Sequence, residues 1–153
     1  MIKKLLLLLG VIVLTVVVVS NFPKKELAQP AERETNEEVT TPFTASFEIY
    51  TLGTRRDFSA TMYHNLSEDA YIDSAPPYSV VVNRASTTWQ EFFDTLPSPF
   101  KITSDCLYTG TGQEFCNSQN SQLLFLLNGK DQPKVLESEI KKDDFLQIKY
   151  ENI

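Results

Sequence analysis

Histidine and cysteine are scarce in this chain of 153 residues: His64 is the single histidine, and Cys106 and Cys116 are the two cysteines. A tetrahedral zinc site would have to gather all three of these residues and a carboxylate. The sequence therefore predicts no metal centre. A lone histidine between Tyr63 and Asn65, where a strand is predicted to end, is typical of an exposed residue.

A surplus of positive charge is also missing. Lysine and arginine number 14, and aspartate and glutamate number 20, which gives a formal net charge of −6. Proteins that bind nucleic acid neutralise phosphates with basic side chains, so this balance argues against a nucleic-acid partner. Five glycines, eight prolines and 11% aromatic residues exclude collagen-like and wholly disordered chains.

Recognisable catalytic motifs are absent as well. The sequence contains no Gly-x-Ser-x-Gly nucleophile elbow, and its cysteines lack the C-x-x-C spacing of redox-active dithiols. Residues 109–112 include two glycines but lack the lysine and the following helix of a phosphate-binding loop. The neighbouring carboxylates Asp143 and Asp144 are expected to serve solvation and turn geometry. We therefore predict no catalytic residues and no cofactor.

One long apolar run is present near the N-terminus. Residues 5–19 are apolar except for one glycine and one threonine, and two lysines precede them. As a helix, residues 5–22 would span about 27 Å, against roughly 30 Å for the hydrocarbon core of a bilayer. Residues 1–22 are therefore predicted to form an uncleaved transmembrane anchor. The alternative is a signal segment that is cleaved near Ser20 and leaves a secreted protein.

Residues 23–42 have the composition of a linker, with five glutamates, three basic residues and almost no large apolar side chains. Such a segment buries too little surface to offset the entropy lost on ordering, so we predict a disordered acidic stalk. The stalk would connect the anchor to a domain formed by residues 43–153. The short N-terminal flank and the cysteine pair favour a location of this domain outside the cytoplasm.

Residues 43–153 carry the pattern of an α+β domain. Apolar and polar residues alternate in 43–50 and again in 57–64, which predicts a β-hairpin. A β-branched run predicts a third strand over 78–83. Residues 65–77, before this third strand, are predicted to form a polar connection.

The clearest local signal in the sequence is a helix over 88–96. Thr88 and Glu91 fit a capping box, and prolines at 97 and 99 end the helix. Such a short helix is stable only if its apolar stripe packs onto a sheet. The stripe recurs at i, i+3, i+4 and i+7 and consists of Trp89, Phe92, Phe93 and Leu96.

More strands are predicted after the helix, over 100–108, 122–127 and 144–150. A tight turn is expected where Asn128 and Gly129 follow the second of these strands. Cys106 and Cys116 flank another glycine-containing turn. Outside the cytoplasm, the expected state of this pair is a disulfide that closes a hairpin.

This order of elements resembles the β-grasp, or ubiquitin-like, fold. The resemblance lies in the C-terminal half, in residues 123–130 with their Asn-Gly turn, the acidic turn at Asp143 and Asp144, and the last strand at 146–150. The segment is similar to sulfur-carrier proteins and to the C-terminal β-grasp domain of transcobalamin-type cobalamin carriers. The resemblance implies a β-grasp-like mixed sheet with one short packed helix. Sulfur carriers end in Gly-Gly and this chain in Tyr-Glu-Asn-Ile, so we expect no carrier chemistry.

Aromatic residues cluster around the connection at 65–77, and Tyr63, Tyr71 and Tyr78 form a predicted contact surface. The alternative is that this connection packs onto its own sheet. We predict a membrane-anchored binding or assembly module whose partner is a protein or a small ligand. Two alternatives remain: a secreted or envelope solute-binding protein with a groove beside the helix at 88–96, and an envelope thiol enzyme or hydrolase.

Overall fold

A computed structural model of the protein describes residues 40–153. The predicted anchor at 1–22 and all but the last three residues of the predicted stalk at 23–42 lie outside the described residues. Within 40–153, no helix is long and apolar enough to cross a bilayer.

The described residues form an α+β structure with a seven-stranded mixed sheet, a three-stranded sheet and one short α-helix. The helix, α1, spans Trp89–Asp94. In chain order, the strands of residues 40–153 are β1 (Phe43–Thr51), β2 (Thr54–Arg55), β3 (Ala70–Ile72), β4 (Ser79–Val82), β5 (Lys101–Ile102), β6 (Cys106–Tyr108), β7 (Glu114–Cys116), β8 (Ser121–Leu127), β9 (Lys130–Asp131) and β10 (Phe145–Asn152).

In the larger sheet the strand order is β3-β4-β1-β10-β8-β9, and β2 pairs with β1 beside this path. The central strands β1 and β10 are parallel, with Ser46 opposite Phe145 and Thr51 opposite Tyr150. The other pairs of this sheet are antiparallel. The smaller sheet has the order β5-β6-β7.

The predicted hairpin between 43–50 and 57–64 is wrong in its second strand. The chain reverses at Leu52 and Gly53, both with positive φ, and forms only the two-residue strand β2. Residues 57–60 are then irregular, and Thr61–Tyr63 is a short 3₁₀ helix. The alternation predicted that Met62 faces inward, but the side chain of Met62 is 53% exposed. The longer antiparallel partner of β1 is β4.

The helix predicted over 88–96 is shorter, since α1 spans Trp89–Asp94. Two other segments also differ from the sequence-based expectation. The connection at 65–77 contains the edge strand β3, which pairs with β4. The strand predicted over 100–108 is broken into β5 and β6. A tight turn separates them, because the Thr103 hydroxyl accepts a hydrogen bond from the Cys106 N–H at 3.0 Å.

Helix α1 confirms the capping prediction. The Thr88 hydroxyl accepts a hydrogen bond from the Glu91 N–H at 3.2 Å, and the Glu91 carboxylate accepts one from the Thr88 N–H at 2.8 Å. All four residues of the predicted stripe are buried. Phe47 of β1 packs edge-on against Phe92 and Phe93, with ring centroids 5.5 and 5.6 Å apart. The helix is therefore held against the inner face of the larger sheet.

The Asn-Gly turn and the acidic turn are joined by side-chain hydrogen bonds. Asn128 donates from Nδ2 to Asp144 at 2.9 Å and accepts through Oδ1 from the Phe145 N–H at 2.8 Å. Asp144 is buried and also accepts from the Lys141 N–H at 2.9 Å, whereas Asp143 is exposed. The Asp144 carboxylate is thus used for turn geometry and fixes the start of β10 against the end of β8.

Candidate functional site

A cleft lies between the segment that follows β2 and the smaller sheet, and we call it the Arg56 cleft. Its volume is about 140 Å³. The apolar part of its lining consists of Phe58, Phe100 and Leu107, all of which are buried. The polar part consists of Arg56, Asp57, Tyr63, Thr109 and Thr111, and Gly110 completes the wall.

The turn at 52–53 sets the positions of two successive arginines. A two-residue turn with positive φ at both residues matches the twist of the paired strands, so β2 stays beside β1. The Arg56 N–H continues this pairing by donating to the Ile49 carbonyl at 2.8 Å. Successive side chains of an extended segment point to opposite faces, which separates Arg55 from Arg56.

Arg55, in contrast, has a charged and an aromatic partner. Its guanidinium lies 3.1 Å from the Glu48 carboxylate, and its Cζ lies 3.5 Å from the centroid of the Tyr78 ring. The same glutamate accepts hydrogen bonds from Tyr50 and Gln147 at 3.0 and 3.2 Å. This arginine therefore belongs to a polar network beside the sheet.

Arg56 has a different environment. Its Cζ lies 5.2 Å from the centroid of the Phe115 ring, a cation–π distance. Among residues 40–153 it forms no ion pair, since the three ion pairs there join Arg55 to Glu48 and Arg84 to Asp69 and Glu91. Its Nε–H is buried and has no hydrogen-bond acceptor in this part of the chain. Buried donors are nearly always paired, so we expect a hydrogen-bond acceptor to bind this atom.

Asp57 lies next to Arg56 in the lining but is bound by other donors. Its carboxylate accepts hydrogen bonds from the Ser59 N–H and hydroxyl, both at 2.9 Å, and from the Tyr78 hydroxyl at 3.4 Å. The Ser59 N–H is the main reason that the pKa of Asp57 lies below its ordinary value. Burial, the larger cause, and the nearby negative charge of Asp57 raise the pKa of Tyr78. The cleft thus holds one cation and one anion at neutral pH.

Hydroxyl groups line the wall formed by residues 109–111. The Thr109 and Thr111 hydroxyls lie 2.9 Å apart, and Thr109 also accepts a hydrogen bond from the Gln113 N–H at 3.1 Å. The Tyr63 ring packs edge-on against Phe58, with centroids 5.1 Å apart. A Cβ atom at Gly110 would lie 2.7 Å from the Tyr63 hydroxyl, so glycine permits this close approach.

Comparisons with protein-family models, with curated proteins and with solved structures found no match. The geometry of residues 40–153 is therefore the basis for assigning a function.

The predicted contact residues occupy three different environments. Tyr63 lines the Arg56 cleft, and Tyr78 lies under Arg55 with its ring edge-on to Phe47. Tyr71 lies in β3 between two buried residues, so its side chain is on the face of the sheet opposite the core. Their role as a contact surface stays a prediction.

The predicted disulfide between Cys106 and Cys116 is present and joins directly paired residues of β6 and β7. One carboxylate, Glu114, brings a third donor atom within 4.8 Å of the two sulfur atoms. Metals bind cysteine as the thiolate, and disulfide sulfurs do not supply that form. In the oxidised protein these residues act as a structural cross-link.

His64 is half-buried, which contradicts the expectation of an exposed residue. Its Nε2 lies 2.9 Å from the Phe58 carbonyl oxygen, and its backbone forms an isolated bridge with Ile72. These contacts give the histidine a structural role in holding the segment that lines the cleft.

A groove is also present beside helix α1, as the solute-binder alternative requires. Its volume is about 510 Å³, and it runs between the helix, β5 and residues 133–137. Its charged side chains are Asp94, Lys101, Lys134 and Glu137, so positive and negative charges are equal in number. None of the buried unpaired polar atoms of residues 40–153 belongs to its lining. This groove therefore gives a weaker indication of a ligand than the Arg56 cleft.

Sequence reasoning did not identify Arg56. The signal was available in the pair of arginines directly after a turn, since one of two successive extended residues must face inward. An inward arginine needs a partner for its charge, and no carboxylate lies at a neighbouring strand position to pair with it.

Proposed function

We propose that this chain is a membrane-anchored, extracytoplasmic β-grasp module that binds an anionic ligand in the Arg56 cleft and catalyses no reaction. The observation that carries the proposal is an arginine that lines a partly apolar cleft and has no ion-pair partner among residues 40–153. A guanidinium has five N–H donors, and its buried Nε–H has no acceptor among residues 40–153.

A comparison with Arg84 supports this interpretation. Arg84 contacts the carboxylates of Asp69 and Glu91 at 2.9 and 3.1 Å, which is the usual arrangement for a structural arginine. Arg56 has an aromatic ring on one side and, within the described part of the chain, no ion pair with a carboxylate, although it is the more enclosed residue. Concave, partly apolar sites with a few convergent polar groups are the common form of ligand sites.

The sheet order supports the β-grasp assignment. A parallel pair of first and last strands lies at the centre, β4 and β8 flank this pair, and the helix packs on one face. This agrees with the arrangement that the resemblance in residues 123–150 implies.

The chemistry of the cleft favours binding over catalysis. Its lining contains no histidine and no cysteine. Asp57 is the one carboxylate of the lining, and three donors stabilise its ionised form and lower its pKa. A carboxylate with a lowered pKa is a poor proton acceptor near neutral pH.

Binding in the cleft is expected to depend on Arg56. In a ligand-observed NMR screen of small anionic, neutral and cationic fragments against the full-length chain in detergent, anionic fragments should bind. Arg56→Gln should weaken their binding by about tenfold or more, because hydrogen bonds to charged groups are lost. Gly110→Ala should weaken it as well, since its Cβ would displace the Tyr63 hydroxyl.

The matched control is Arg55→Gln, which removes the same charge one residue away on the other side of β2. Binding should be unchanged in this variant. The proposed function is wrong if no fragment binds the wild-type protein. It is also wrong if all three variants bind the fragments as tightly as the wild-type protein does.

The membrane-anchored location is tested by the intact mass of the protein in a native membrane fraction, with alkylation before and after reduction. We expect the full-length mass and two cysteine residues that react only after reduction. A mass that corresponds to a chain beginning near Asn21 would support the secreted alternative. Cysteines that react without reductant would contradict an oxidising location.

A further inference from the structure

We infer that the ligand of the Arg56 cleft is a monocarboxylate with a small apolar body, of about the size of benzoate. This inference rests on the proposed function and specifies its ligand class. It follows from the charge, the donor geometry and the volume of the cleft.

The charge of the lining limits the charge of the ligand. Arg56 supplies the one positive charge of the lining, and Asp57, whose carboxylate is bound by Ser59 and Tyr78, supplies the one negative charge. A monoanion would pair with the guanidinium and leave the site with a net charge near −1. A dianion such as a phosphate monoester would add a second negative charge near Asp57, and the lining contains no second cation to compensate it.

The geometry of the guanidinium suits a carboxylate. The Arg56 Cζ lies over the Phe115 ring, at 5.2 Å from the ring centroid. The N–H donors of a guanidinium lie in one plane, and the Nε–H of Arg56 has no acceptor among residues 40–153. A carboxylate accepts two parallel hydrogen bonds from such a group, which adds geometric selectivity to the charge interaction.

The volume of the cleft limits the apolar body of the ligand. At about 140 Å³ it is close to the volume of cavities that hold one benzene molecule and well below that of drug-sized sites. Phe58, Phe100 and Leu107 supply the apolar surface for a ring or a short branched chain. The Tyr63 hydroxyl has no hydrogen-bond partner among the described residues, so it can bind a second carboxylate oxygen.

Two sources could supply this chemistry: a free small carboxylic acid, or the C-terminal residue of a peptide with a free carboxylate. Both present a carboxylate next to a small apolar group. They differ in what extends from the cleft, and this difference separates them experimentally.

The test is calorimetric titration of the full-length chain in detergent with benzoate, with its neutral isostere benzamide and with phenyl phosphate. A fourth titration uses a short peptide that ends in phenylalanine, with a free or an amidated C-terminus. Benzoate should bind about ten- to a hundredfold more tightly than benzamide. Arg56→Gln should remove this preference, Arg56→Lys should retain part of it, and Arg55→Gln should retain all of it.

The outcomes separate this inference from the proposed function. Tighter binding of phenyl phosphate than of benzoate would overturn the inference and leave the anion-binding module standing. Equal binding of benzoate and benzamide would also overturn the inference, and the fragment screen would then decide whether the cleft prefers other anions. No binding of any probe and no hit in the fragment screen would overturn both. If benzoate binds more tightly than benzamide, the peptide then identifies the source of the carboxylate. Tighter binding of the free-acid peptide than of benzoate identifies a peptide terminus, and weaker binding of this peptide than of benzoate identifies a free acid.

Discussion

Replacing Trp89 with alanine should lower the free energy of unfolding by about 3–5 kcal/mol. Trp89 is fully buried, and its ring stacks on Phe93 and contacts Phe92 edge-on at centroid distances of 6.1 and 6.2 Å. Its removal leaves a cavity between the helix and the sheet. Urea unfolding followed by circular dichroism measures the loss, since Trp89 is the only tryptophan and its fluorescence disappears with it.

Two further variants show whether the loss arises from packing. Trp89→Phe keeps an aromatic ring and removes the indole Nε1–H, which is buried without an acceptor among the described residues, so its cost should be clearly smaller. Asp94→Ala alters an exposed residue of the same helix and should change stability by no more than about 0.5 kcal/mol. A loss below about 1 kcal/mol for Trp89→Ala would contradict the placement of the helix.

Replacing both cysteines with serine should lower the free energy of unfolding by about 2.5–3 kcal/mol. The disulfide closes a loop with a sequence separation of 10, and the unfolded chain gains freedom when that loop opens. The smaller sheet has only short strands of two or three residues, so few other interactions compensate. Chemical unfolding of the wild-type and variant proteins measures the difference.

Adding a reducing agent supplies the control for this prediction. It should destabilise the wild-type protein to about the level of the variant and have no effect on the variant itself. The variant should also bind benzoate more weakly, because β6 and the 109–111 wall lie next to the cross-link. A loss of stability below about 1 kcal/mol would show that pairing of β6 with β7 is sufficient to hold the smaller sheet.

Local patterns predicted the parts of the fold that depend on neighbours in sequence. The capping box at Thr88 and Glu91, the Asn-Gly turn and the stripe that includes Trp89 require only a few adjacent residues. The strands β1, β4, β8 and β10 were predicted for the same reason, because their apolar residues follow a regular pattern.

The parts that the sequence did not predict depend on contacts with distant residues. Strand β3 is three residues long and is stabilised by its pairing with β4, so its own pattern is too short to recognise. The alternation at 57–64 is regular, yet only Phe58 of its apolar residues is buried. The cleft is formed by residues from 56 to 111, and its existence depends on how β2 and the smaller sheet approach each other.

The parallel pairing of β1 with β10 has a mechanical consequence. The N-terminal end of β1 and the C-terminal end of β10 lie at opposite ends of this strand pair, so tension applied to them acts along the strands. The hydrogen bonds from the Ser46–Phe145 pair to the Thr51–Tyr150 pair would then share the load and have to rupture together. A domain of this design resists stretching far better than one whose terminal strands peel apart one bond at a time.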